Sequence, residues 1–448
     1  MRVCAHLVVH SVFQPIARSG VTDVRLVLLP RYDNGTPHVV VDTVFGQLLP
    51  GFGHTIHMVR PARGLRSVEE QRPMNGAGRL IAFPPDDPGS DLMFFARARR
   101  KRRFIEQALQ ALSAEPVDAV IVRDDLVGAA AAARFASVRR VPFVFQLSSP
   151  EAEFRINGAR NRFQVRRLPD VARGWMDLAT RRAVCRRADV VLAISAAMRR
   201  HLIARDGIPA ERVFVLPMGI GSSPEPTTAA IAEARSTLAF SWGPTIAYSG
   251  VIDQLRQPAF MLDVLEMVRR RVRDAGLLVI TYQQDQRRQA FEAEAQARGL
   301  PVKVVGPLHH SNVSAYLRCA DVALCPIPPR LEYAISSPTK SLEALGAGVV
   351  VVGSMEVEEH QRILVQSGGG LAVPFRVEPF ADAIVSLLDD PVRRTRMADA
   401  GRRFVRQFRT YPRLTRYLES ILAATMERDA LASIPHDPDE TEPDPVVP

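Results

Sequence analysis

The sequence predicts an α/β protein with two domains, each built around a doubly wound, mainly parallel sheet. Short apolar runs alternate along the chain with longer amphipathic segments, which is the pattern of β-α-β units. Most of the apolar runs are continuous, as in strands that are buried on both faces. The chain has 448 residues, too many for one ordinary core, and about two domains of ~150–200 residues each are expected.

The predicted strands form two sets. The first set lies at 24–30, 55–59, 79–83, 118–122, 142–146, 189–194 and 212–216, and the second at 245–249, 277–281, 302–305, 321–325 and 349–352. Amphipathic patterns predict helices at 126–138, 176–187, 258–273, 285–298 and 379–388. We therefore expect two Rossmann-like domains that face each other across a cleft, because such sheets bind ligands at the carboxyl ends of their strands.

A breaker cluster of glycine, serine and proline at 219–226 separates the two sets of strands. The last helical region is expected to kink near Tyr411 and Pro412 and to pack back on the first domain. The end of the chain is rich in proline and acidic residues, a composition typical of disorder. The expected organisation is an N-terminal extension (1–23), a first domain (24–221), a linker region (222–243), a second domain (244–406), a C-terminal helix (407–428) and a disordered acidic tail (429–448).

Composition limits the classes of protein that remain. Four scattered cysteines, Cys4, Cys185, Cys319 and Cys325, form neither a zinc pattern nor a disulfide framework. No signal peptide is evident, and no uncharged apolar stretch approaches the ~18–20 residues that span a membrane. We therefore expect a cytoplasmic protein, at most peripheral on the inner face of the membrane. The formal charge of +10 indicates an anionic partner, such as a phosphate-bearing substrate or an acidic lipid.

The segment 336–348 carries the strongest signal for a binding site. Ser337 is a good N-cap residue, and Pro338 would stand at the first helical position. The free amides at that helix start, together with the positive end of the helix dipole, suit a diphosphate. Lys340 adds a full charge, and Glu343 lies one turn further on the same face. The alternative is a capped structural helix with an ion pair between Lys340 and Glu343.

This segment resembles the donor-site helix of retaining, GT-B-fold glycosyltransferases of the family-4 type, in the branch that reads Ser-Pro-Thr-Lys-x-x-Glu-x-x-x-x-Gly. Further segments, at 188–195, 212–220, 248–256, 305–310 and 316–321, resemble the same family in the same order. The resemblance covers about residues 24 to 406. It implies transfer of a sugar from a nucleotide diphosphate sugar to a glycan or lipid-linked acceptor, without a metal or other cofactor and with retention of the anomeric configuration. The first domain would then bind the acceptor, and the second would bind the donor.

The resemblance also implies roles for single residues. Glu343 would bind the ribose of the donor nucleotide, with Ser337 and Thr339 beside it. Arg256 and Lys340 would hold the diphosphate and stabilise the charge that develops on the leaving group. Two glycines, Gly250 after a second-domain strand and Gly35 in the first loop, would let the backbone approach the donor. A solvated arginine beside a helix remains the alternative for Arg256.

Two departures from the family pattern leave other functions open. The first of the family's two glutamates would fall on Ile335, eight positions before Glu343, and Glu332 is the nearest acidic residue. The glycine pair of the first loop is reduced to Gly35. A GT-B-fold sugar-nucleotide epimerase and a non-catalytic nucleotide-sugar-binding subunit therefore remain alternatives to a transferase.

Asp124 and Ser148 each follow a predicted strand and could contact the acceptor or the donor sugar. Asp124 could instead cap the helix that follows it. The run 94–104 joins aromatic residues to a dense basic block and could lie on an anionic membrane surface, or could simply be a solvated helix face. Nucleic-acid binding is not favoured, because aromatic residues make up only 6% of the chain and no recognition motif is present.

Overall fold

Two largely parallel sheets organise the chain in the computed structural model, which describes residues 23–33, 38–71, 78–85, 94–160, 168–221, 225–427 and 430–440. The first sheet has the order β3-β4-β2-β1-β5-β6-β7-β8, and only β3 runs antiparallel to its neighbour. The second sheet has the order β11-β10-β9-β12-β13-β14, and all its strands are parallel. The α/β fold with two parallel-sheet domains, predicted from the sequence, is confirmed.

Eight strands form the first sheet in the part of the first domain that the structure describes. The strands are β1 (Arg25–Pro30), β2 (Thr55–Pro61), β3 (Glu69–Gln71), β4 (Leu80–Phe83), β5 (Ala119–Arg123), β6 (Phe143–Leu147), β7 (Val190–Ala193) and β8 (Val213–Val215). The helices are a π-helical segment (Val41–Leu48), α1 (Leu49–Gly51), α2 (Phe94–Gln110), α3 (Leu126–Arg139), α4 (Glu151–Arg160), α5 (Leu168–Arg187) and α6 (Ala196–Asp206).

The second domain follows the helix α7 (Thr228–Leu238). Its strands are β9 (Thr245–Ser249), β10 (Gly276–Ile280), β11 (Val302–Val305), β12 (Val322–Cys325), β13 (Val350–Ser354) and β14 (Gly370–Val373). Its helices are α8 (Ala259–Arg269), α9 (Gln286–Ala297), α10 (His310–Leu317), α11 (Leu331–Ala334), α12 (Thr339–Gly346), α13 (Glu358–Ser367), α14 (Val377–Leu388) and α15 (Pro391–Phe408).

Both faces of the first sheet are buried, and alternate residues of one strand show why. Val27 and Leu29 of β1 pack in one hydrophobic cluster, whereas Leu26 and Leu28 pack in another on the opposite face. This alternation is the two-residue period of a strand, and it explains why a doubly covered strand reads as a continuous apolar run. A last helix, α16 (Tyr411–Met426), belongs to the second of these clusters, so the chain returns from the second domain to the first.

The predicted disorder of the tail, 429–448, is wrong for residues 430–440. Asp437 is only 6% exposed, and the backbone amide of Val215 donates a 2.7 Å hydrogen bond to the carbonyl of His436. Arginine side chains from elsewhere in the fold neutralise the acidic residues of this segment, so its composition alone does not prevent order. Residues 441–448 and the extension 1–22 lie outside the described residues. Within the residues described, no helix is both long enough and apolar enough to span a membrane.

Candidate functional site

The candidate site lies at the carboxyl edge of the second sheet, where β9 and β12 are neighbours. The strand order reverses between these two strands, and a doubly wound sheet opens a crevice at that reversal. The loop 250–257 leaves β9 there, and α12 begins after the loop that follows β12. The strand order therefore brings two distant parts of the sequence, near residues 250 and 340, to one edge.

The helix α12 begins at Thr339, one residue later than predicted. Pro338 is its N-cap residue, in an extended conformation with a ψ of 106°, and no side chain caps the helix start. The predicted capping role of Ser337 is therefore wrong. Because Pro338 is not yet helical, Ser337 lies outside the capping position, and its hydroxyl instead accepts a 3.2 Å hydrogen bond from the amide of Met218 in the first domain. The first-turn amides of α12 thus lack a side-chain acceptor from the cap, as an anion-binding helix start requires.

Lys340 is held over the end of β9. Its Nζ donates a 2.9 Å hydrogen bond to the hydroxyl of Tyr248 and lies 4.9 Å from the centroid of that ring. The Tyr248 hydroxyl in turn donates to the carbonyl of Val251, at 2.8 Å. Lys340 is therefore hydrogen-bonded to Tyr248 rather than paired with Glu343, and the alternative of a simple ion pair on a structural helix is not what the structure shows.

Gly250 makes room for that lysine. Its φ of 150° falls in the region that favours glycine, and a Cβ at this position would overlap the Cε and Nζ atoms of Lys340. Burial, with a contribution from the positive charge of Arg256, lowers the pKa of the Lys340 ammonium to about 8. A buried ammonium group destabilises the folded protein while no anion lies beside it, and a bound anion would offset that destabilisation.

Glu343 lies one turn beyond Lys340. Burial raises the pKa of its carboxyl, and the nearby His310 and Lys340 act in the opposite direction. His310 is the first residue of α10, so it places a third element beside the helix start.

Arg256 faces the same place. It ends a short turn whose N-cap residue, Asp253, accepts a 3.0 Å hydrogen bond from the Arg256 amide and forms an ion pair with its guanidinium. The Arg256 side chain is about one third exposed, at 32%. Its positive charge contributes to the lowered pKa of Lys340, so it lies within electrostatic reach of the site rather than on a remote solvated face.

Ile335, which stands where the resemblance expects a glutamate, is a contact between the domains. Its side chain is 6% exposed and packs in the hydrophobic cluster of the first domain, and its carbonyl accepts a 2.8 Å hydrogen bond from the hydroxyl of Ser195. Glu332 is buried, with its Oε2 3.6 Å from the Nε of Arg330. The loop before α12 therefore joins the two domains close to the site.

The first domain presents Asp124 and Ser148 at the carboxyl ends of β5 and β6. The Ser148 amide donates a 2.7 Å hydrogen bond to Asp124 Oδ1, and the Ser148 hydroxyl donates to the other carboxylate oxygen. The predicted capping alternative for Asp124 is wrong, because Asp125 caps α3 by accepting a 3.1 Å hydrogen bond from the amide of Gly128. Asp124 has a φ of 57°, a strained conformation for a residue other than glycine that is more common at functional sites. Gly35 lies outside the described residues.

Two groups of the site were missed from the sequence alone. Tyr248 lies two residues before Gly250. Its place near the end of a predicted strand that leads to the crevice is the feature of the sequence that could have indicated a role in the site. His310 follows a Gly-Pro turn at the end of a strand, which is a loop signal and not a chemical one. Among the residues that the structure describes, no group of three or more His, Cys, Asp or Glu side chains is arranged to hold a metal ion.

Comparison with known proteins identifies the family of this chain. Residues 43–223 match the model of Glycosyltransferase Family 4, and residues 243–390 match that of Glycosyl transferases group 1. The chain therefore belongs to the family-4-like glycosyltransferases of the GT-B fold.

A GDP-mannose-dependent alpha-(1-6)-phosphatidylinositol monomannoside mannosyltransferase of Mycobacterium tuberculosis is 28% identical over 251 residues, which are 52% of this chain and 62% of that relative. The chain thus spans less than two thirds of the curated relative that it matches. Sucrose-phosphate synthase from Thermosynechococcus elongatus superposes with a TM-score of 0.67 at 17% identity, covering 92% of this chain and all of the other. Anabaena HepE in complex with UDP-glucose superposes with a TM-score of 0.62 at 12% identity, covering 90% of this chain and 99% of that one.

Proposed function

We propose that this protein transfers a sugar from a nucleotide diphosphate sugar to a glycan or lipid-linked acceptor. The observation that carries the proposal is the uncapped start of α12, with Lys340 held over Gly250. The first-turn amides and the helix dipole would bind the diphosphate, and Lys340 and Arg256 would neutralise the charge that grows on the leaving nucleotide. Glu343 would accept hydrogen bonds from the ribose hydroxyls.

We propose that the transfer is metal-independent and retains the anomeric configuration. Two cations of the chain, Lys340 and Arg256, are available to supply the charge stabilisation that the departing diphosphate needs. Retention rests on the family resemblance. The stereochemistry of the product, read by NMR at the first turnover, tests it, and a product of inverted configuration would contradict it.

The donor site is tested with a thermal-shift panel of UDP, GDP, ADP and dTDP and their sugars. A ligand that binds only the native state raises the melting temperature with its concentration. We expect at least one nucleotide to do so, and Glu343→Ala to abolish or greatly weaken that shift. Glu378→Ala is the matched control, because Glu378 is an exposed glutamate in the first turn of α14. A shift that survives in Glu343→Ala would show that the nucleotide binds elsewhere.

Nucleotide affinity is expected to fall as pH rises above about 8, the lowered pKa of Lys340. A neutral lysine cannot offset the diphosphate charge, so the dissociation constant rises by up to about tenfold per pH unit. Stability of the ligand-free protein moves the other way. Between pH about 8 and 10.5 the unfolded chain holds the extra proton, so the Lys340 contribution to the free energy of unfolding increases with pH. Calorimetric titrations from pH 7 to 9.5 measure the affinity, and a constant value over that range would contradict this assignment.

An acceptor site is proposed in the first domain. A cavity of about 320 Å³ opens beside the carboxyl ends of its strands, and Asp124 lines it. Charged pairs surround the cavity: Arg31 with Glu151 at 3.2 Å, Arg155 with Asp177 at 3.1 Å, and Lys101 with Asp125 at 3.0 Å. Carboxylates and guanidinium groups of this kind can bind the vicinal hydroxyls of a sugar acceptor, because they offer several acceptors and donors at fixed spacing.

Contact of this domain with an anionic membrane is a second part of the proposal, and it concerns α2. Four exposed arginines, Arg99, Arg100, Arg102 and Arg103, project from this helix. Of its aromatic residues only Phe95 is largely exposed, at 64%, because the Arg173 guanidinium lies 4.1 Å above the Phe94 ring and Phe104 packs on the core. Attachment would therefore be mainly electrostatic. Co-sedimentation with vesicles that contain phosphatidylserine, reduced by salt and absent with phosphatidylcholine alone, is the expected result.

An epimerase and a non-catalytic nucleotide-sugar-binding subunit are distinguished from a transferase by turnover. The transferase releases the nucleotide as the product forms. An altered sugar nucleotide without nucleotide release would identify an epimerase, and binding with neither outcome would identify a non-catalytic subunit.

A further inference from the structure

Residues 430–440, called here the C-terminal clasp, contact both domains. On the first-domain side, the carbonyl of His436 accepts the 2.7 Å hydrogen bond from Val215 in β8, the edge strand of the first sheet. The carbonyl of Pro435 accepts a 2.6 Å hydrogen bond from the hydroxyl of Tyr417 in α16. The clasp therefore pairs with the edge strand β8 at Val215 and contacts α16.

The acidic end of the clasp reaches the second domain. Arg362, on α13, donates a 2.8 Å hydrogen bond to the carboxylate of Asp437 and lies 3.1 Å from that of Asp439. The same guanidinium binds Glu359 of its own helix at 2.8 Å. Two carboxylates of the clasp thus share one arginine of the second domain.

The clasp also contacts the segment in which the chain passes between the domains. Arg409 is fully buried, and its Nη2 donates to Asp439 at 2.6 Å and to Glu359 at 2.8 Å. The carbonyl of the same residue accepts a 2.8 Å hydrogen bond from the amide of Ile220, and Ile220 pairs with Thr410 in a parallel bridge. The two interdomain crossings, near residues 220 and 410, therefore run side by side, and Asp439 is bonded to one of them.

Each buried charge of this cluster is stabilised by the opposite charges beside it. An arginine side chain is not deprotonated in a protein, so Arg409 needs carboxylates wherever it is buried. A rotation of the second domain against the first would carry Arg362 and Glu359 away from a clasp that is fixed to β8. Such a rotation would separate at least one buried arginine from its carboxylates, and the clasp therefore disfavours it.

We propose that the C-terminal clasp holds the two domains in the arrangement in which Ser195 contacts Ile335 and Met218 contacts Ser337 across the cleft. The clasp is a conformational brace that shifts the population toward this arrangement. It acts through the position of the crossings and does not depend on the identity of the donor or the acceptor.

The test compares the wild type, Asp437→Asn/Asp439→Asn, and the control Glu440→Gln, all without ligand. Glu440 is exposed in the same segment, so its substitution removes one charge without touching the cluster. Small-angle X-ray scattering measures the radius of gyration, and limited proteolysis measures cleavage in the breaker cluster 219–226. We expect the double variant to be more extended and to be cleaved at least tenfold faster there, while its far-UV circular dichroism and the behaviour of Glu440→Gln stay like the wild type.

An unchanged radius of gyration together with an unchanged cleavage rate in the double variant would overturn the proposal. If the double variant does not fold, Asp439→Asn alone, which leaves Asp437 on Arg362, gives the same measurements. No nucleotide enters this experiment, so its outcome is independent of the proposed transfer reaction.

Discussion

Replacing Lys340 by methionine is expected to lower kcat/KM by about 10²–10³-fold, the usual loss when one preorganised charge-stabilising group is removed. Methionine fills a similar volume without the charge, and the Tyr248 hydroxyl keeps its hydrogen bond to Val251, so no buried donor loses its partner. Because burial already disfavours the ammonium, the ligand-free variant should be as stable as the wild type or more stable. The expected signature is a loss of activity without a loss of melting temperature.

Lys303→Met is the matched control for that experiment. Lys303 lies in the same domain, and its Nζ donates to the carbonyl of Leu238, away from the candidate site. Its substitution removes an equal charge and should leave kcat/KM within about twofold, since this half-buried lysine binds the end of α7 and not the candidate site. Equal activity losses in the two variants would show that total charge matters and that Lys340 has no specific role.

The sequence predicted most strands because a doubly covered strand must be apolar on both faces. It missed β3, Glu69–Gln71, because a short edge strand with exposed polar residues has no apolar signal. It missed β14, Gly370–Val373, because this half-buried edge strand begins with glycine. Both omissions lie at sheet edges, where burial no longer determines the residue type.

The residues of the candidate site also fall into a group that the sequence predicted and a group that it did not. Lys340 and Glu343 were predicted because one helix places them by its own period. Arg256 and Gly250, on the loop after β9, were named only through the family resemblance. Tyr248 and His310 were given no role, because the strand order that brings them to α12 is not specified by a single sequence. The order of residues 430–440 was not predicted for a related reason. An acidic segment is disordered only while it lacks partners, and the partners of Asp437 and Asp439, which are Arg362 and Arg409, lie far from them along the sequence.

The absence of the expected glutamate at position 335, where the chain has Ile335, has a structural explanation. Its aliphatic chain and its carbonyl both contact the first domain, so this position helps to fix the start of α12 relative to the other side of the cleft. A glutamate placed in this apolar cluster would be a buried charge without a partner. The departure from the family pattern therefore concerns contact with the transferred sugar and leaves the proposed diphosphate site intact.

Gly250→Ala is expected to weaken nucleotide binding by about 10–100-fold, because it displaces the Lys340 ammonium, and a hydrogen bond from a charged group contributes about 1.5–3 kcal/mol. The added Cβ would occupy the space of the Lys340 Cε and Nζ atoms, and the φ of 150° is unfavourable for alanine. Gly299→Ala separates the two effects: its φ of 62° is also left-handed, but a Cβ there would meet nothing within 4 Å. Both variants should lose stability, by about 1–3 kcal/mol for the backbone strain alone. Only Gly250→Ala should lose affinity in a calorimetric titration, and equal affinities in the two variants would mean that Lys340 does not bind the diphosphate from its place above Gly250.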